Sequence, residues 1–160
     1  MDPIILARIQ FASTIGFHFI FPPLSIGLAW ILVFIEGRAW KTRDPEWIAL
    51  AKFFQKLFLI TFAAGVVSGI VMSLQFGTNW SGFSRYVNAV FGSILLLEIF
   101  FAFFIESAFL GVYVFGRDRV PKWLHWTSAL MMALGATLSG FWIISANSWM
   151  HTPAGFVVDN

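Results

Sequence analysis

Three side chains in this sequence stand where hydrocarbon would be expected to surround them: His18, Glu98 and Glu106. No residue between Arg8 and Glu36 is charged. His18 lies about ten residues into the first helical run, roughly 15 Å from its start at 1.5 Å rise per residue. A neutral imidazole in lipid needs a partner, either a polar group on a neighbouring helix or a metal. Pro22 removes the amide that would bond the His18 carbonyl, and Pro23 does the same for Phe19. The backbone beside the histidine is therefore expected to be distorted, as it often is at a cofactor or a helix crossing. Taken alone, the residues favour a hydrogen bond to a neighbouring helix over a haem ligand, because polar groups commonly join membrane helices.

Glu98 and Glu106 point to chemistry more sharply. A carboxylate within the bilayer costs about 2.5–3.5 kcal/mol on insertion scales and by default marks a functional site. Eight residues of regular helix separate the two by about 12 Å of rise and about 80° around the axis. They share a broad face without touching, which suits a relay through intervening hydroxyls or water better than a chelate. The alternative is a pair of protonated structural carboxyls; intramembrane acids more often mark proton pathways, and the relay is preferred. The depths of Lys56, Asp118, Ser107 and Ser139 allow a ladder to be drawn: Lys56 and Asp118, then Glu106 with Ser107, then Ser139 and Glu98. Each rung alone has an ordinary explanation, as helix-packing serine or interfacial charge. Only their order is suggestive.

The elements that must hold these groups are four membrane-spanning helices, near residues 10–35, 54–76, 89–115 and 123–147. Charge-free or nearly charge-free intervals run from Arg8 to Glu36, Lys56 to Arg85, Arg85 to Arg117 and Lys122 to Asp159, the third broken only by Glu98 and Glu106. Each exceeds the roughly 20 residues that a helix needs to cross a bilayer, and backbone satisfaction in lipid favours helices. Composition agrees, with 59% hydrophobic and 11% charged residues and a mean hydropathy of +0.81, whereas soluble domains carry about 25% charged residues. The first run is too long for a signal-peptide core and no A-x-A-like cleavage site follows it, so it is expected to be a retained helix. Arg38, Lys41, Arg43, Lys52 and Lys56 flank the first loop, and Arg117, Arg119 and Lys122 the third. The other side offers only Arg8 and Arg85. The positive-inside rule then places the N-terminus, the 77–88 loop and the C-terminal tail outside. Trp80, Tyr86 and Trp149 would form the outer aromatic belt, and Trp40, Trp47 and Trp123 the inner one.

His125 and His151 are expected to be interfacial histidines. Gly65, Gly69, Gly135, Ala136, Ser139 and Gly140 would let helices approach closely. With no cysteine, disulfides, thiolate metal sites and thiol nucleophiles are excluded. The net charge of +2 and scattered basic residues argue against nucleic acid. No phosphate-binding glycine loop, H-E-x-x-H or nucleophile elbow is present. Asn79-Trp80-Ser81 has the form of a glycosylation acceptor, a weak three-residue match.

Ala7-Arg8-Ile9-Gln10-Phe11 and Phe17-His18-Phe19-Ile20-Phe21-Pro22-Pro23-Leu24 together resemble the opening of subunit I of the cytochrome bd quinol oxidases. Gln75-Phe76-Gly77-Thr78-Asn79-Trp80-Ser81 is similar to that family's loop between helices two and three. Phe103 to Ser107, Phe115 to Arg119 and Trp142 to Met150 continue the likeness along essentially the whole chain. The tail from His151 to Phe156 is more similar to the cyanide-insensitive branch. The resemblance implies an oxidoreductase that oxidises quinol, reduces oxygen to water and draws its protons from the cytoplasm. His18 would then be an axial ligand of a high-spin haem iron. Glu98 would lie beside that haem as a candidate second ligand, with Ser139 nearby. Lys56, Asp118, Glu106 and Ser107 would form the proton channel. The implied cofactors are haem b and haem d, or a b-type haem in place of haem d. The implied partners are an oxidase subunit II, further helices of subunit I, membrane lipid, quinol and oxygen, in the bacterial cytoplasmic membrane. The family's subunit I has roughly twice as many helices, and its second histidine, methionine, later glutamate, quinol loop and late Gly-Arg-Gln-Pro-Trp motif are not in this sequence. Residues 1–160 are therefore expected to be an N-terminal four-helix portion without turnover of its own. The competing expectations are a haem-free proton channel and a structural assembly module.

Overall fold

The computed structural model describes residues 2–154 (backbone only at 89, 101 and 102) and contains no strand among them. Helices α1 (Pro3–Phe19) and α2 (Phe21–Thr42) follow one another with a break at Ile20. Then come α3 (Pro45–Gly77), α4 (Ser81–Leu97), a π-helical stretch (Glu98–Phe103), α5 (Phe104–Gly116) and α6 (Lys122–His151). Counting α1 with α2 and α4 with α5, four helices are long and apolar enough to cross a membrane. The expected all-helical, four-span architecture is thus present. Gly155, Phe156 and Asp159, used above as motif or boundary, lie outside the described residues.

Local sequence explains the starts and breaks. Asp2-Pro3 and Asp44-Pro45 each place an acceptor before a proline: Asp2 accepts from the Ile4 amide and Asp44 from the Glu46 amide, both at 2.9 Å. The proline occupies a first-turn position whose missing N–H costs nothing there. At Ile20 the expected distortion appears. Its amide reaches back three residues, to the Phe17 carbonyl at 3.4 Å, and the chain restarts as α2 with Pro22 and Pro23 in its first turn. The first span is longer than expected and interrupted, because two prolines in a row withdraw successive helical donors. The third span, Val90–Gly116, falls within a residue of expectation, continues a helix begun at Ser81 and changes winding at Glu98.

Packing concentrates in one half of the bundle. Buried positions on α2 run Ser25, Ala29, Leu32, Glu36 and Ala39, and on α6 His125, Ala129, Met132 and Ala136. Steps of three and four place each set on one stripe. The stripes meet Phe58 of α3 and Tyr113 of α5 in a core whose members are fully buried. Small residues bring α2 and α6 together: a Cβ on Gly140 would lie 3.0 Å from Ile26, and one on Gly37 3.1 Å from the Trp126 indole nitrogen. By contrast, α1 contributes no buried residue. Ala133→Leu should overpack this seam and cost about 1–3 kcal/mol, measured as an earlier unfolding midpoint in mixed detergent micelles; an unchanged midpoint would show that the seam is loose.

Candidate functional site

His18 ends α1, one turn before the proline pair, and faces α3. Its Nδ1 lies 3.0 Å from the Ser68 hydroxyl. That hydroxyl also lies within donating distance of the Ala64 carbonyl, at 2.8 Å, and the Gly65 carbonyl, at 3.0 Å. When its proton goes to a carbonyl, Ser68 accepts from Nδ1–H and the imidazole keeps its lone pair on Nε2. Gly69 permits the approach, since a Cβ there would stand 3.1 Å from His18 Cε1. The hydrogen bond to a neighbouring helix favoured by the residues alone is present. It is also the arrangement by which a second partner orients an imidazole for a metal at its other nitrogen. Nε2 has no hydrogen-bond partner among the described residues, so the donor chemistry fits an axial haem ligand.

Glu98 begins the π-helical stretch and accepts a 2.6 Å hydrogen bond from the Ser139 hydroxyl on α6. These two expected site residues are thus brought together. The change of winding follows immediately, so the 80° offset calculated for regular helix does not carry over to Glu106. π-Helical turns inside α-helices occur frequently at functional sites. Glu106 is buried on the stripe of α5 that also carries Tyr113 and Gly116, and it makes no side-chain hydrogen bond with the described residues. Ser107 is half-buried beside it, whereas Lys56 and Asp118 are exposed. Among the described residues no hydrogen bond or ion pair joins Lys56 or Asp118 to Glu106, or His18 to Glu98, and no group of three or more His, Cys, Asp or Glu is placed to hold a metal ion.

A third acid was missed. Glu36 is 4% exposed, although its charge served above only to mark the end of the first run. The Tyr113 hydroxyl donates to Glu36 Oε1 at 2.8 Å. Arg117 forms an ion pair with the same oxygen and donates to Oε2 at 3.3 Å and to Gln55 at 3.1 Å. His125 is corrected from an interfacial to a buried residue. Its Nε2 lies 3.0 Å from the Tyr113 carbonyl, an acceptor only, so Nε2 carries the proton; its Nδ1 stands 3.7 Å from Glu36 Oε2. One signal was available: Glu36 falls seven residues after Ala29 and four after Leu32, on the apolar stripe of α2. Trp80 of the expected outer belt is also buried, its indole donating to Gln10 at 3.0 Å.

These features define a polytopic helical membrane protein with an oriented histidine, a hydrogen-bonded carboxyl at a change of helix winding, and a buried charge network at its basic end. The chain belongs to the cytochrome bd terminal oxidase subunit I family, whose model matches residues 6–160. It is 47% identical over its full length to the cytochrome bd ubiquinol oxidase subunit 1 of Bacillus subtilis, covering 34% of that protein. Identity is 44% to the cytochrome bd-II ubiquinol oxidase subunit 1 of Escherichia coli, over 96% of this chain and 30% of that protein. The structure superposes with a TM-score of 0.90 on the bd oxidase of Geobacillus thermodenitrificans, at 32% identity, over 99% of this chain and 37% of that one. The chain therefore spans about a third of the length of these relatives.

The charge network yields a direct test. Glu36→Gln leaves Arg117 buried without a counter-charge and should cost about 3 kcal/mol, the low end for a broken buried pair because the guanidinium is partly accessible. Pairing it with Arg117→Met should recover most of that loss, read as unfolding midpoints of the single and double variants. Additive losses would show that the two side chains are not coupled.

Proposed function

We propose that this chain forms the helices of an oxidase subunit I that hold a haem at the oxygen-reducing site and deliver protons to it. The whole enzyme would oxidise quinol and reduce oxygen to water, with a subunit II as partner, in a bacterial cytoplasmic membrane. The observation that carries this reading is family membership along residues 6–160. The His18 geometry supports it. Ser68 orients the ring through Nδ1, and Nε2 would be the atom that holds the haem iron. The haem, of b or d type, would supply the iron at which oxygen is bound and reduced.

In this reading the chain's own residues govern the protons. Glu106 receives them in the basic half of the bundle, with Lys56, Asp118 and Ser107 as the approach from the cytoplasm. Glu98, which accepts a hydrogen bond from the Ser139 hydroxyl, holds the last proton and would be the candidate second residue holding the haem. The N-terminus and the 77–88 loop lie outside, as the excess of basic residues in the other two loops favours.

The complete oxidase, purified from native membranes, tests both roles. His18→Ala should remove the visible absorption of one haem, while Ser68→Ala should retain it with weakened haem retention, by about 10–100-fold for loss of an orienting partner. Glu106→Gln should retain every haem and slow oxygen consumption. A His18→Ala enzyme with an unaltered spectrum would overturn the ligand assignment, and unaltered turnover in Glu106→Gln would remove that residue from the proton path.

A further inference from the structure

The basic end of the bundle contains a cavity of about 410 Å³ between the ends of α2 and α5 and the starts of α3 and α6. Its floor is the Glu36–Arg117 pair with His125. Arg43, Lys52 and Lys122 also line it, together with Asp118 and the indoles of Trp40 and Trp126. We propose that this cavity binds the phosphate headgroup of an anionic phospholipid. The proposal goes beyond the oxidase reading and does not depend on it.

Charge sets the sign of the ligand. Glu36 is neutralised by Arg117. Asp118 then stands against Arg43, Lys52 and Lys122, and among the described residues none of these four forms an ion pair. The lining therefore carries an excess of positive charge around a partly open cleft, which attracts an anion.

The backbone gives a second argument. Arg43 closes α2 in the left-handed region, with φ 55° and ψ 22°, and is the only non-glycine residue at positive φ among the described ones. Glycine or asparagine terminates a helix in that conformation at lower cost. An arginine held there, with its side chain on the cavity, is a local strain that a bound anion would offset.

Position sets the source of the phosphate. The cavity lies where spanning helices end, beside Trp40 and Trp126, whose rings stand 5.9 Å apart. Tryptophan and basic side chains at this level mark the headgroup layer. Basic pockets between membrane helices on the cytoplasmic side suit anionic headgroups. The floor is also preformed, because Tyr113 and Gln55 hold the Glu36–Arg117 pair in place.

The complete oxidase, delipidated in detergent and titrated with phosphatidylglycerol or phosphatidylcholine, would report binding by native mass spectrometry. Phosphatidylglycerol should be retained in preference, and Lys52→Gln with Lys122→Gln should weaken it roughly tenfold or more. Neutralising Lys41 and Arg119, which are exposed and do not line the cavity, should leave binding unchanged. Equal retention of both lipids, indifference to the Lys52/Lys122 variant, or no retained lipid would overturn the proposal. Displacement of the lipid by millimolar inorganic phosphate would overturn it in favour of a soluble anion. Spectra recorded on the same samples separate this outcome from any failure of the haem assignment.

Discussion

A carboxylate and a guanidinium shielded from water by apolar helices must find each other, and the Glu36–Arg117 pair is the contact on which the rest of this bundle depends. The two residues lie on α2 and at the C-terminal cap of α5, far apart in sequence, and Arg117 also holds Gln55 of α3. Tyr113 adds a second bond from α5, and the carbonyl of the same residue receives His125 of α6. Four helices are thereby tied at one level by groups that cannot be left unpaired without a large desolvation cost. The apolar core of Leu32, Phe58, Tyr113 and Met132 sits directly beside this network. Lipid supplies little hydrophobic drive for helix association, so directional polar contacts set the register and small residues allow the backbones to close.

The fold was legible because the bilayer imposes a length rule on the sequence. Charges cannot interrupt a span freely, so the intervals between Arg8, Glu36, Lys56, Arg85, Arg117 and Lys122 displayed the helices directly. The break at Ile20 was legible for a similar reason: Pro22 and Pro23 remove named donors, and the effect appears within one turn of them. The helix ends were less so, since α3 and α6 continue past the hydrocarbon into the interface, where polar residues continue a helix as readily as apolar ones.

The site was only half legible. Glu98 and Ser139 were brought together as depth suggested, because both lie near the same level of adjacent spans. Glu36 escaped because a charge at the edge of an apolar run looks like the end of a span. Its burial depends on Arg117, a residue 81 positions away, and pairing over that separation leaves no local pattern. His125 escaped likewise, because its partner is the Tyr113 carbonyl and a main-chain acceptor has no residue type to recognise. The π-helical stretch from Glu98 to Phe103 contains no proline or glycine, so no helix-breaking residue announces the change of winding.

Geometry also divides labour between the acids. Proton transfer needs donor and acceptor within about 2.6–3.2 Å or one intervening water. Glu98 and Glu106 are separated by eight residues, several times that distance along a helix axis, so a relay between them requires bridging hydroxyls or water. Ser139 already stands on Glu98, and Ser107 follows Glu106 in sequence, one bridging group for each acid. Glu106 and Tyr113 lie on one face about two turns apart, yet the side chains packed at the level of Tyr113 are those of Leu32, Phe58 and Met132. Among the described residues no hydrogen bond links Glu36 to Glu106. The Glu36 oxygens are committed to Tyr113 and Arg117. Glu36 is thus a structural anchor that ties α2 to the end of α5, whereas Glu106 forms no hydrogen bond or ion pair with the described residues.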